Sequence, residues 1–84
     1  MNLKNFITEN YPAKVYLNLN SLLGLSKKKT TLIINNPSSM EKDHVKHLSV
    51  ILELEPTRLI NEFNCGRRKM NLEEADELME LKEV

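Results

Sequence analysis

Apolar residues recur three and four positions apart along most of the chain, the spacing of a helix face rather than of a strand. Leu3, Phe6 and Ile7 open the pattern in a segment that Pro12 breaks, which predicts a first helix over residues 3–10. A proline loses no intrahelical hydrogen bond near a helix start. A second helix is therefore expected over residues 13–23, with Tyr16, Leu19 and Leu23 as its buried stripe. Leu17 and Leu22 fall off that stripe, where polar residues are usual. They read either as an additional contact surface or as positions covered by the first helix or the C-terminal segment.

Gly24 can adopt the left-handed conformation that ends a helix, Leu25 plugs the turn, and the Ser26 hydroxyl can cap a helix beyond it. The next stretch contains the β-rich run Thr30, Thr31, Leu32, Ile33 and Ile34, whose local propensity favours a strand. Its spacing favours a helix over residues 27–35. Thr30, Ile33, Ile34 and Pro37 share one face, and Lys27, Lys28, Thr31 and Asn35 share the opposite one.

Asn35, Asn36 and Pro37 break the pattern, and Ser38 with Glu41 predicts a capping box for a fourth helix over residues 39–54. Val45, Leu48 and Leu52 form its buried line, with Ser49 small enough for close packing and Ile51 at the edge. Pro56 starts a fifth helix whose apolar face is Leu59, Ile60 and Phe63, with Gly66 expected to end it. Beyond Arg67, Arg68 and Lys69, the pair Asn71 and Glu74 repeats the capping pattern. Leu72, Ala75, Leu78 and Met79 then make a narrow stripe among acids, which predicts a sixth helix favoured by the acids of its first turn.

The expected fold is all-α: a compact five-helix domain over residues 1–66, then a basic link and an acidic C-terminal helix over 67–84. With 84 residues the chain has room for one small core and sits near the size at which a lone domain is marginal, so dimerisation is expected. Hydrophobic residues at 40% set it apart from disordered chains of similar charge. No run approaches the roughly 18 apolar residues of a membrane span, and the N-terminus lacks a signal-peptide core, so a cytoplasmic protein without membrane contact is expected. The single Cys65 has no internal disulfide partner and reads as a small packing residue.

Net charge is zero, but the charges are segregated. Residues 1–69 carry eleven Lys and Arg against six Asp and Glu, a net of +5, while residues 70–84 carry one Lys against six acids, a net of −5. A basic body with an acidic tail suits a polyanionic partner better than the overall balance suggests. His44 and His47 lie three apart and could chelate a metal, but no Cys or acid is fixed opposite them, so they read as surface or edge residues and no metal is expected. There is no Gly-rich phosphate loop and no nucleophile elbow. The chain reads as a non-enzyme without a cofactor.

Five helices with Gly24 in the turn between the second and third resemble the lambda-repressor-like, Cro-type helix-turn-helix domains, over about residues 3–63. Leu19, Leu23, Gly24, Leu25, Ser26 and Ile33 match the motif's framework, and Val45, Leu48, Ser49, Leu52, Leu54 and Leu59 match the later helices. Three positions depart from the family. Asn20 stands where a small Ala usually packs, Tyr16 where a phosphate-binding Gln is common, and Glu53 where a Gly or Asn often ends the fourth helix. A left-handed Glu53 would cost about 1 kcal/mol.

The resemblance implies that residues 27–35 read double-stranded DNA in the major groove. Lys27, Lys28, Thr31, Leu32 and Asn35 form the outer face. Lysine suits guanine O6 and N7, Asn suits adenine, and Thr or Leu suits a thymine methyl. Lys29, Lys42, the Tyr16 hydroxyl and the fourth-helix N-terminus at Ser38 and Ser39 would hold phosphates, with Ser26 at the start of the reader helix. The implied protein is a transcriptional repressor acting as a homodimer across two half-sites. The alternative from another class is a protein-interaction module or antitoxin-like protein, binding a partner through Leu17, Leu22 and the C-terminal helix.

Overall fold

A computed structural model of the chain describes residues 2–69. The expected acidic sixth helix lies outside the described residues. Six α-helices succeed one another: α1 (Leu3–Asn10), α2 (Ala13–Leu17), α3 (Leu19–Leu23), α4 (Lys27–Asn35), α5 (Lys42–Leu52) and α6 (Pro56–Phe63), with one 3-10 turn at Pro37–Ser39. There is no strand among the described residues, so the chain is all-α there. No helix among them is long and apolar enough to cross a membrane.

The single expected second helix is two. Asn18 adopts φ −104°, ψ 11°, and its side-chain amide donates to the Lys14 carbonyl at 2.9 Å, competing for the backbone of the preceding turn. Asn18 closes one helix and opens the next: its N–H bonds the Lys14 carbonyl and its carbonyl accepts from Leu22 N–H, both at 3.0 Å. The bend redirects the chain: α2 packs on α1, whereas α3 packs on α4 and α5.

Residues 27–35 are helical despite their β-rich composition, because Thr30, Ile33 and Ile34 all bury on one side. Thr30 keeps its hydroxyl satisfied by donating to the Ser26 carbonyl at 2.9 Å. These side chains join a core built from Leu3, Ile7, Leu19, Leu23, Met40, Val45, Leu48, Leu52, Leu59, Ile60, Phe63 and Cys65. Phe6 links the ends of the domain by packing its ring 5.1 Å from that of Phe63. Tyr11 donates its hydroxyl to the Leu52 carbonyl at 2.7 Å, which ties the α1–α2 link to the end of α5.

Three helix boundaries differ from the sequence expectation, one of them the end of α5 at Leu52 in place of residue 54. The helix expected from residue 39 starts at Lys42, not near Ser38. Met40, fully buried with an extended backbone (φ −64°, ψ 143°), interrupts the helical path after the 3-10 turn. Glu41 takes the cap in a reciprocal capping box with His44, in which Glu41 N–H donates to His44 Nδ1 at 3.2 Å. At the other end of the domain, Asn64 and not Gly66 ends α6, in the left-handed region at φ 60°. Asn enters that region more readily than other non-glycine residues, and Phe63 just before it is buried in the core.

Glu53 closes α5 at φ 54°, ψ 40°, in the left-handed region that a glycine or asparagine more often fills. Its N–H bonds the Val50 carbonyl and Leu54 N–H bonds the Ser49 carbonyl, at 3.2 and 3.0 Å. The same pair of bonds surrounds Gly24, from Gly24 N–H to Ser21 and from Leu25 N–H to Asn20, at 3.1 and 2.8 Å. Both are Schellman endings, one on a glycine and one on a glutamate.

Residues 64–69 return across the domain. Gly66 N–H donates to the Pro37 carbonyl and Arg68 N–H to the Ser38 carbonyl, each at 2.9 Å, so the segment is clipped to the 3-10 turn beyond α4.

Candidate nucleic-acid interface

The exposed side of α4 is set by its buried side. Once Thr30, Ile33 and Ile34 enter the core, the helical period leaves Lys27, Lys28, Lys29, Thr31, Leu32 and Asn35 in solvent, and all six are exposed. Leu32 retains 57% of its accessible surface, an unusual exposure for a leucine in the middle of a helix. The Ser26 side chain accepts from Lys29 N–H at 3.1 Å, so this hydroxyl is engaged as the cap that starts the helix.

Tyr16 is half-buried on α2, with the Lys4 ammonium 5.8 Å from its ring centroid. With Leu17, Asn20, Lys27, Thr30 and Thr31 it lines an open groove of about 220 Å³ between α2–α3 and α4. Tyr16 and Lys27 are thus brought to one place. Asn20, at the position where a small residue was expected, is only half-buried and lines this open groove, so its larger side chain is not forced into the core. Leu17 is 71% and Leu22 53% exposed, so the first helix does not cover them.

Ser38 does not occupy a helix N-terminus. It sits in the 3-10 turn, donates its hydroxyl to Asn36 Oδ1 at 3.0 Å, and gives its carbonyl to Arg68 N–H. That removes the dipole argument for phosphate binding at Ser38 and transfers it to Lys42, the half-buried first residue of α5. Arg68 and Lys69, which the sequence pattern does not single out, are both exposed and fixed beside that turn. Their basic character is visible in the sequence, but the pairing of residue 66 with 37 is a long-range contact without a local signature.

The remaining titratable candidates have structural roles. His44 is committed to the α5 cap, and no cluster of three metal-ligating side chains occurs among the described residues. Burial pushes the Cys65 thiol up to about 12, a value at which it is neither a nucleophile nor a ready ligand near neutrality.

Comparison with protein-family models, with curated proteins and with solved structures finds no match to the chain.

Proposed function

We propose that the chain is a sequence-specific DNA-binding transcriptional regulator, a repressor of the lambda-repressor-like helix-turn-helix class that inserts α4 into the major groove as a dimer. The observation that carries this reading is the arrangement of α4. A helix held across a Gly24 Schellman turn presents three lysines, Thr31, Leu32 and Asn35 to solvent while its other face is locked in the core. Lys27, Lys28 and Asn35 supply the donors and acceptor that read base edges, and Thr31 and Leu32 the apolar contact for thymine methyls. The +5 charge of residues 1–69 supplies the sequence-independent attraction.

The test is selection of bound sequences from random duplex DNA at low and moderate salt, with the intact protein and a Lys27→Ala/Lys28→Ala variant. Recovery of a palindromic site that the variant loses supports a dimeric reader. Lys28→Ala alone should cost about 1–3 kcal/mol at its base position. A second reading, a partner-binding or antitoxin-like module, is favoured by the exposure of Leu17 and Leu22. Weak, sequence-independent retention equal in both proteins would replace the first reading with the second.

A further inference from the structure

The segment beyond α6 carries three consecutive cations, Arg67, Arg68 and Lys69, and the structure treats them differently. Arg67 is used internally: its Nε donates to the Ile60 carbonyl at 3.3 Å and a terminal nitrogen to Asn61 Oδ1 at 3.0 Å. Arg68 and Lys69 are exposed, yet their backbone is not loose. The bonds from Gly66 N–H to Pro37 and from Arg68 N–H to Ser38 hold it against the turn only two or three residues past the end of α4. Lys69 shares a depression of about 390 Å³ with Glu41, Lys42 and Asp43. Of the two acids there, Glu41 turns its carboxylate to the α5 cap.

We propose that Arg68 and Lys69 form a second phosphate-binding site, gripping the DNA backbone at the C-terminal end of α4 opposite Lys29 at its N-terminal end. The proposal rests on α4 being the DNA-reading helix. The diameter of a helix with its side chains, about 10–12 Å, fills the roughly 12 Å width of the major groove, so the nine residues of α4 run along the groove for about 13 Å. Cations held just beyond either end of such a helix meet the phosphates that border the groove there. The clip supplies preorganisation: the backbone of Arg68 is already fixed, so only side-chain freedom is lost on binding.

The experiment measures the affinity of the full chain for a non-specific duplex of about 20 base pairs as salt is raised. It compares the native protein with Arg68→Gln/Lys69→Gln, Lys29→Gln and Arg67→Gln. Each neutralised phosphate contributes about 0.9 to the slope of log affinity against log salt, so losing two contacts flattens it by about 1.8. The Arg68/Lys69 variant is expected to show this flattening with an unchanged melting temperature and an unchanged selected base sequence. Arg67→Gln is expected to lower the melting temperature and leave the slope alone.

If the Arg68/Lys69 variant keeps the native slope while the Lys29 variant flattens it, the second site is overturned and α4 still binds DNA. If the native protein shows no salt-dependent duplex binding, the reading of α4 fails and takes this proposal with it. A changed base preference in the Arg68/Lys69 variant would also overturn the assignment, because a backbone contact carries no sequence information.

Discussion

Glu53→Gly should stabilise the protein. Glu53 is exposed and sits at φ 54°, ψ 40° with both Schellman hydrogen bonds made, so a glycine keeps every backbone contact and loses only the crowding of Cβ against the next carbonyl. That crowding costs about 1–2 kcal/mol. The extra freedom of glycine in the unfolded chain takes back about 0.4–1 kcal/mol. The net backbone gain is about 0–1.6 kcal/mol, centred on about 0.8, which in a domain of this size raises the melting temperature by roughly 3–6 °C.

The substitution also removes a carboxylate from the negative end of a helix, a separate gain of about 0.3–1 kcal/mol. Glu53→Gln carries that gain alone, so the two variants together isolate the backbone contribution. The assay is thermal and urea unfolding of the native protein, Glu53→Gln and Glu53→Gly. The reciprocal change, Gly24→Ala, has no steric component beyond the local backbone, since a Cβ there meets nothing within 4 Å. It should destabilise by about 1 kcal/mol, with both terms now acting in the same setting but with opposite sign. A Glu53→Gly protein no more stable than Glu53→Gln would refute the reasoning.

Single contacts carry the other expected outcomes. Tyr11→Phe leaves the Leu52 carbonyl without its 2.7 Å donor and should cost about 1–2 kcal/mol in urea unfolding with an unchanged slope. Thr57→Val replaces a buried hydroxyl that has no hydrogen-bond partner among the described residues, and should leave stability equal or raise it by about 1 kcal/mol, read as a shift of the urea midpoint. Cys65 predicts a pH dependence. Burial raises its folded value from the ordinary 9.0 to about 12. Between these values the unfolded thiol is ionised and the folded one is not, so the unfolded state binds fewer protons and stability falls as pH rises above about 9. Melting curves from pH 8 to 10 should show this decline, and Cys65→Ala should show a shallower one.

Much of the helical order could be read along the chain because it is local. The spacing of Leu3, Phe6 and Ile7, of Thr30, Ile33 and Ile34, and of Val45, Leu48 and Leu52 identifies their buried faces directly, and those side chains are buried. Helix won over strand in residues 27–35 because a core on one side outweighs the modest β preference of Thr and Ile. The bend at Asn18 was hidden, since an asparagine inside an apolar period looks like any polar surface position until its amide finds the Lys14 carbonyl.

The start of α5 was displaced for a related reason. Ser38 and Glu41 satisfy the spacing of a capping box, but Met40 is drawn into the core and Glu41 pairs with His44 in its place. In the candidate site, the outward face of α4 comes from periodicity alone. The position of Arg68 and Lys69 does not, because it depends on backbone bonds between residues some thirty positions apart.

The two bonds that fasten residues 66–68 to the 3-10 turn also determine how the domain responds to tension. A load applied at Lys69 and directed away from the turn meets the Arg68–Ser38 bond before the Gly66–Pro37 bond, as a strip is peeled. Bonds loaded in sequence yield at lower force than bonds loaded together. The buried Cys65 lies immediately beyond them and is the point where traction first reaches the core. Between the two clips the Arg67 side chain, bonded to the Ile60 carbonyl and to Asn61, passes the load to α6, so traction at Lys69 is shared by the 3-10 turn and the last described helix.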